Sequence, residues 1–179
     1  MKIWLTGAQG TGKTTVLNLF KEPEAITEVV RNMAKEGMTI NRDSGIATQR
    51  EIFNCYRRLF NSKSDYISDR GLTDVLAYSC VGEEEKPDCS DAFTWGEEIN
   101  REIHIMLDYI KENQSDLAII YFPIEFPVED DGFRCTDEAY RKEVDRTIKH
   151  ILDTYIDIDY LTVHGTPEER YSQIMNYIR

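Results

Sequence analysis

The 179-residue sequence predicts an α/β fold of three layers, in which a parallel five-stranded sheet is flanked by helices. Short apolar runs of strand length alternate along the chain with longer segments of helical periodicity, and this alternation is typical of parallel sheets. The first apolar run also leads directly into a glycine-rich loop and a helix-forming segment. The length suits one domain that covers residues 1–179.

The individual elements follow from these patterns in chain order. Strands are predicted at residues 2–6, 25–30, 65–68, 117–122 and 158–163. Helices are predicted near residues 13–21, 29–36, 46–61, 72–81, 92–112, 136–154 and 167–178. Residues 165–169 read Gly-Thr-Pro-Glu-Glu, and a threonine N-cap followed by proline and acids predicts the start of the last helix. Loops are expected at Gly82–Ser90 and Pro123–Thr136.

The glycine-rich loop matches the phosphate-binding pattern G-x-x-x-x-G-K-[ST] in full. Its backbone N–H groups and the following helix dipole would face bound phosphates, so a P-loop NTPase fold is predicted. Lys13 would reach the β- and γ-phosphates, and the Thr14 hydroxyl would hold Mg²⁺. The flanking strand and helix argue against the alternative, a chance match in a glycine-rich turn. The predicted contacts to ATP in this loop are Gly7, Ala8, Gln9, Gly10, Thr11, Gly12, Lys13, Thr14 and Thr15.

A second candidate site lies in the stretch Ser64–Gly71, interpreted as a short strand that ends in Asp69 and Arg70. Catalytic groups of an open parallel sheet lie just beyond the carboxyl ends of its strands. Asp69 is therefore expected to accept the proton of an attacking hydroxyl or to help hold Mg²⁺. Arg70 is expected to bridge the donor and acceptor phosphates. The alternative is an aspartate that caps the next helix, near Leu72, with its arginine paired locally.

Candidate acceptor-binding residues come from a basic part of the chain. Residues 1–70 carry 11 Lys and Arg against 8 Asp and Glu, whereas residues 71–179 carry 10 against 25. The first candidates are Glu28 and Arg31, placed at the end of the second predicted strand. The others share one face of the next helix and would read a base edge, stack on it and meet phosphate: Gln49, Arg50, Phe53 and Arg57. Surface ion pairs and core packing are the alternative accounts.

A lid is predicted over about residues 123–146, where a long loop precedes a charged helix. Arg134 and Arg141 are expected to close over the γ-phosphate, because charge builds on its equatorial oxygens during transfer. A solvated helix with i, i+4 pairs, such as Glu138 with Lys142, is the alternative.

Several classes of protein are disfavoured. A net charge of −12 argues against loose, charge-driven binding to nucleic acid, and the apolar runs are too short to span a membrane. The switch motifs D-x-x-G and N-K-x-D do not occur. The one Asp-Glu pair opens a predicted helix, whereas an ATPase motor needs it at the end of an apolar strand. The four cysteines lack zinc spacing, which fits free thiols in a reducing cytoplasm.

Together these motifs resemble those of the thymidylate-kinase-like nucleoside and nucleotide kinases, and compact phage-type members in particular. The resemblance rests on Gly7–Thr14, Ser68-Asp69-Arg70 with Asp74 and Tyr78 behind it, the Arg134–Arg141 lid and residues 165–170. It implies that Asp69 and Arg70 serve the acceptor and catalysis. Arg134 and Arg141 would belong to the lid, and the segment from Thr166 to Arg170 would surround adenine. The chain is shorter than ordinary thymidylate kinases and lacks a Glu-Pro-Gly style motif after the second strand.

The sequence therefore predicts an ATP- and Mg²⁺-dependent kinase that phosphorylates a hydroxyl of a deoxynucleotide-type acceptor. The acceptor is either a free nucleoside or nucleotide or, by resemblance to a related phage branch, 5-hydroxymethyluracil in DNA. The alternative from another class is a regulatory P-loop ATPase whose nucleotide state controls a protein partner. No membrane partner is expected, a homodimer is left open, and the expected location is the cytoplasm, or the host cytoplasm if the protein is viral.

Overall fold

In the computed structural model, five parallel strands form one sheet in the order β2-β3-β1-β4-β5. The structure describes residues 1–27, 29–38, 46–84, 89–127 and 137–178. The strands are β1 Lys2–Thr6, β2 Ala25–Ile26, β3 Tyr66–Ser68, β4 Leu117–Tyr121 and β5 Tyr160–Thr162. The helices are α1 Lys13–Leu17, α2 Val29–Lys35, α3 Ile46–Asn61, α4 Leu72–Glu84, α5 Cys89–Asn113, α6 Glu138–Tyr155 and α7 Pro167–Tyr177. The predicted five-stranded parallel sheet flanked by helices is confirmed.

Alternation of side chains along the central strand β1 builds a core on each face of the sheet. Trp4 belongs to the larger cluster, which includes residues of α3, α4, α5 and α6. Its neighbours Ile3 and Leu5 belong to the second cluster, which includes residues of α1 and α7. All three side chains are fully buried, as expected for a parallel strand covered on both faces.

The register of the sheet determines where a site can form. β1 pairs with β3 on one side and with β4 on the other, so the carboxyl ends of these three strands lie side by side. The chain leaves β1 towards the β2–β3 side and later returns to β4 on the other side. The loop after β1 therefore lies at a switch point of the topology, where open parallel sheets bind ligands.

Several predicted boundaries are wrong. The first helix was predicted to extend to residue 21 and ends at Leu17, and β5 is shorter at both ends than predicted. β2 ends at Ile26, and residues 29–30 belong to α2, because Val29, Val30 and Met33 recur at helical spacing and pack on the larger core. Much of the predicted loop Gly82–Ser90 is helical, since α4 continues to Glu84 and α5 begins at Cys89.

The start of α7 agrees with the expectation from its sequence. Thr166 is the N-cap residue, and its side chain and that of Glu169 form a capping box. The predicted lid lies partly outside the described residues, and its second part is the helix α6. Among the helices that the structure describes, none has the length and apolar character needed to cross a membrane.

Candidate active site

The glycine-rich loop between β1 and α1 has a conformation that its glycines make accessible. Gly12, the N-cap of α1, has a φ of 87°, which lies in the left-handed region. A Cβ on Gly7 would lie 2.4 Å from the carbonyl oxygen of Phe122, so the loop can approach the end of β4 only without a side chain there. The loop thus lies directly against the carboxyl edge of the sheet.

A cavity of about 370 Å³ opens in front of this loop. Its lining combines the loop and α1 with side chains from α2, α3, the turn after β3, α4 and the segments after β4 and β5. These residues are Gln9–Val16, Val29–Arg31, Tyr56, Asp69, Arg70, Tyr78, Phe126, Pro127, Gly165, Pro167 and Arg170. The predicted donor residues from Gln9 to Thr15 therefore share one cavity with Asp69 and Arg70, whereas Gly7 and Ala8 do not line it.

Lys13 and Thr14 have distinct contacts in this structure. The Lys13 ammonium donates to the carbonyl oxygens of Gly7 and Ala8, at 2.5 and 2.7 Å. The Thr14 hydroxyl donates to Asp69 Oδ2 at 3.1 Å, and Thr27 Oγ1 donates to the same oxygen at 2.9 Å. Asp69 thus contacts the first helix after the loop, and its carboxylate does not cap α4.

The residues around Thr14 fit a magnesium ion. One hydroxyl and one carboxylate lie within hydrogen-bond distance at the cavity wall, and Mg²⁺ prefers such oxygen ligands. Within the described ranges, no group of three or more His, Cys, Asp or Glu side chains forms a separate metal site. A P-loop site needs no such group, because phosphate oxygens and water complete the coordination.

Arg70 lies against the aromatic ring of Tyr78, with its guanidinium carbon 4.8 Å from the ring centroid. The Tyr78 hydroxyl donates to Gln9 Oε1 at 2.6 Å, so the same tyrosine contacts the glycine-rich loop. Burial acts to lower the pKa of Arg70, but the neighbouring tyrosines and aspartates outweigh it and the net shift is upward. Arg70 therefore stays charged at the cavity.

Arg141 is fully buried, and its position differs from the predicted one. Its guanidinium donates to the carbonyl oxygens of Gln9, Gly10 and Phe126, at 2.9, 3.3 and 2.9 Å, and it pairs with Glu138. It does not line the cavity, because α6 packs against α4 and directs the side chain to the main chain of the loop. The expectation that Arg141 covers the γ-phosphate is therefore corrected. Arg134 lies outside the described residues.

Arg170 lines the cavity and also braces the loop. It donates to the carbonyl oxygen of Thr11 at 2.6 Å and pairs with Glu125. Its guanidinium carbon lies 5.4 Å from the ring centroid of Phe122 and 5.1 Å from that of Phe126. Burial acts to raise the pKa of Glu125, but hydrogen bonds from His164 and Arg170 lower it below its ordinary value.

Thr166 was predicted to lie near adenine, and its side chain is instead engaged in the cap of α7. Its neighbours Gly165 and Pro167 line the cavity in its place. The Gly-Thr-Pro sequence already indicates this orientation of the Thr166 side chain, because a capping threonine turns its side chain towards its own helix.

The predicted acceptor residues separate into distinct environments. Phe53 is fully buried in the core and Gln49 is 4 % exposed, so neither offers a face to a base in this structure. Arg50 pairs with Glu98 at 2.9 Å, and Arg57 is half-buried outside the cavity lining.

The remaining two candidates lie near β2. Arg31 lines the cavity from α2 rather than from the end of β2, and Glu28 lies outside the described residues. The residue of α3 that reaches the cavity is Tyr56, which the sequence analysis missed. Its signal was the helical spacing of the aromatic residues Phe53, Tyr56 and Phe60 along α3. Burial is the main factor that raises the pKa of Tyr56.

The fold and the glycine-rich loop define a protein with the P-loop NTPase architecture. A family model described as an AAA domain matches residues 2–170, and the chain belongs to this family. A search of curated protein sequences finds no match.

Solved structures of deoxyadenosine kinase from M. mycoides are similar in fold. The complex with dATP has a TM-score of 0.63 and 18 % sequence identity, and the match covers 99 % of both chains. The complex with dCMP and dCDP has a TM-score of 0.65 and 15 % identity, over 99 % of this chain and 98 % of that one. The complex with dCTP has a TM-score of 0.61, 15 % identity and the same coverage.

Proposed function

We propose that this protein is an ATP- and Mg²⁺-dependent kinase that transfers the γ-phosphoryl group to a hydroxyl of a deoxynucleotide-type acceptor. The observation that carries the proposal is the shared cavity, in which Asp69 and Arg70 face the same space as Lys13 and Thr14. A donor cradle and an acid–arginine pair suited to a second substrate thus lie together. The likeness in fold to deoxyadenosine kinase supports a nucleoside or nucleotide acceptor.

The chain's own residues account for the steps of such a transfer. The loop amides and Lys13 hold the donor phosphates, and Lys13 exchanges its carbonyl partners for phosphate oxygens. The acceptor hydroxyl attacks the γ-phosphorus while the bond to the β–γ bridging oxygen breaks and ADP leaves. The hydroxyl proton passes to Asp69, and Arg70 stabilises charge on the transferred group. Bound Mg²⁺, held by Thr14, would neutralise charge on the β- and γ-phosphates. A role of Asp69 as a ligand of that ion is the alternative to its role as proton acceptor.

The acceptor end of the cavity has apolar, aromatic and cationic walls: Val29, Val30, Arg31, Tyr56, Arg70 and Tyr78. Aromatic rings suit a base, and guanidinium groups suit an acceptor that carries phosphate. A free deoxynucleotide and 5-hydroxymethyluracil in DNA both have this chemistry. A cytoplasmic location and a homodimer remain part of the proposal.

A regulatory ATPase is the second candidate, and the AAA-domain family favours it. In that case the nucleotide state would control a protein partner, and the cavity would hold ATP without a second substrate. Hydrolysis would be stimulated by a protein, and no phosphorylated acceptor would form.

Transfer of label from [γ-³²P]ATP separates these functions. The acceptors are a panel of nucleosides, nucleoside monophosphates and hydroxymethylated DNA, each compared with the Lys13→Ala variant. We expect label on a nucleotide or on DNA with the wild type and none with the variant. Label found only in inorganic phosphate would favour the regulatory ATPase, and full activity of Lys13→Ala would refute both assignments.

Asp69→Asn tests the role of the carboxylate. We expect turnover to fall far more than ATP affinity, because proton acceptance acts in the transition state only. Equal losses in turnover and ATP affinity would instead assign Asp69 to the metal ion or to the structure.

A further inference from the structure

Asp74, in the first turn of α4, connects the two loops that form the candidate active site. Its Oδ1 accepts the N–H of Gly7 and its Oδ2 accepts the N–H of Gly71, both at 2.9 Å. Gly7 opens the glycine-rich loop, and Gly71 follows Asp69 and Arg70 directly. One carboxylate therefore links the main chain of the donor loop to the main chain of the catalytic turn.

The site around Asp74 leaves little freedom for this link. The residue is 1 % exposed, and Thr73 Oγ1 approaches Oδ2 at 3.3 Å. A Cβ on Gly71 would lie 2.8 Å from the ring of Trp4 in β1. The turn is thus held by close packing on one side and by the carboxylate on the other.

The carboxylate suits this position better than an amide does. It offers an acceptor oxygen to each of the two N–H groups, whereas an asparagine offers one oxygen and turns its own N–H₂ towards the other donor. A buried N–H left without a partner is costly, so the loop or the turn would move. The spacing between the loop and the turn therefore depends on both oxygens of the Asp74 carboxylate.

We propose that Asp74 is a positioning residue that sets the distance between the donor phosphates and the Asp69–Arg70 turn. The inference rests on the proposed phosphoryl transfer. In-line transfer is sensitive to such spacing, since a misplacement of about 1 Å can lower the rate by on the order of 100-fold. Asp74 acts through the two loops and does not line the cavity itself.

Asp74→Asn provides the test, with turnover measured as ADP release and nucleotide affinity measured with a fluorescent ADP analogue. We expect turnover to fall by about 10- to 100-fold and affinity to change by less than about 5-fold. Thr73→Val is the matched control, because it removes the Thr73 hydroxyl with its contacts to Thr6 at 3.0 Å and to Asp74 Oδ2 at 3.3 Å, and it leaves both main-chain N–H bonds to Asp74 intact. Its turnover per folded molecule should equal that of the wild type.

A double-mutant cycle with Arg70→Ala distinguishes positioning from general destabilisation. If Asp74 acts by placing the turn, Asp74→Asn should lower turnover much less once the Arg70 guanidinium is gone. The proposal would be overturned if Asp74→Asn and Arg70→Ala lowered turnover by factors that multiply independently. It would also be overturned if Asp74→Asn lowered affinity and turnover equally, or if Thr73→Val lowered turnover as much as Asp74→Asn does.

If Asp74→Asn does not fold, Asp74→Ser keeps a smaller acceptor and should show the same separation of turnover from affinity; if neither variant folds, the aspartate serves the fold alone and the proposal is wrong. ADP release is measured without an identified acceptor. A missing phosphorylated product therefore counts against the proposed function, while the Asp74 comparison can still be made.

Discussion

Glu102 in α5 should make the stability of this protein fall between pH 6 and pH 8, and Glu102→Gln should remove that dependence. The side chain is fully buried, and its Oε1 has no hydrogen-bond partner within the described part of the chain. Ser79 Oγ lies 3.1 Å from Oε2, but it is also 3.2 Å from the carbonyl oxygen of Val75. One hydroxyl proton cannot serve both acceptors. A protonated Glu102 can instead donate to Ser79 Oγ, which leaves the Ser79 proton for the carbonyl oxygen of Val75.

The charged groups nearby do not keep Glu102 ionised. Glu98 takes the ion pairs with Arg50 and Arg101 on the neighbouring turn of the helix. Burial is the main factor that raises the pKa of Glu102, from an ordinary value of 4.5 to about 8, and Glu98 adds to it. Hydrogen bonding by Ser79 and the charges of the two arginines act in the opposite direction and are outweighed.

The sign of the effect follows from the proton balance. Between pH 4.5 and about 8 the folded state keeps the Glu102 proton while the unfolded state has lost it, so stability falls as the pH rises. The slope approaches about 1.4 kcal/mol per pH unit, and the loss between pH 6 and pH 8 is about 2 kcal/mol. Above about pH 9 both states are ionised, and the contribution levels off.

Urea unfolding followed by tryptophan fluorescence at pH 6 and pH 8 measures this effect. Glutamine cannot ionise and can still donate to Ser79, so the variant should gain about 2 kcal/mol relative to the wild type between the two pH values. Glu97→Gln, on the exposed face of α5, is the matched control and should not change the pH dependence. Parallel curves for the wild type and Glu102→Gln would refute the reasoning.

Three further changes test parts of the fold around the site. Arg141→Lys should weaken binding of a fluorescent ADP analogue several-fold, because lysine cannot replace the forked contacts to the loop carbonyls; unchanged affinity would mean that the loop holds its shape alone. Gly71→Ala should lower the free energy of unfolding by about 2 kcal/mol, as measured in urea, since its Cβ meets the Trp4 ring. Thr166→Ala should cost about 1 kcal/mol in thermal unfolding, and no loss would show that the capping box is not stabilising.

The strands and helices were largely predictable, because most follow from local apolar patterns. β1 and β4 are buried runs in the middle of a parallel sheet, and α7 begins at a recognisable cap. β2 was predicted too long because Val29 and Val30 favour strands by their branching. An edge strand with one neighbour gains few hydrogen bonds, whereas the same valines gain burial against the core as part of α2.

The cavity at the glycine-rich loop was predictable for a similar reason. Lys13 and Thr14 belong to one local pattern, and Asp69 was placed by the rule that catalytic groups follow parallel strands. Phe53 was misjudged because helical spacing shows that residues share a face but does not show which face meets the core. Tyr56, three residues further on, is the side chain that reaches the cavity.

What could not be predicted is how the glycine-rich loop is held. Charged side chains from α4, α6 and α7 end on its main chain: Asp74 on an N–H group, and Arg141 and Arg170 on carbonyl oxygens. Main-chain atoms are the same in every residue, so no sequence pattern marks them as partners of a side chain 67 to 159 residues away. A fully buried arginine is stable only when such acceptors surround it. Arg141, which was expected at the γ-phosphate, thus supports the shape of the loop, and Arg170 does so while also lining the cavity. Lys13 and Arg70 line the cavity, so the proposed transfer assigns the phosphoryl group to them.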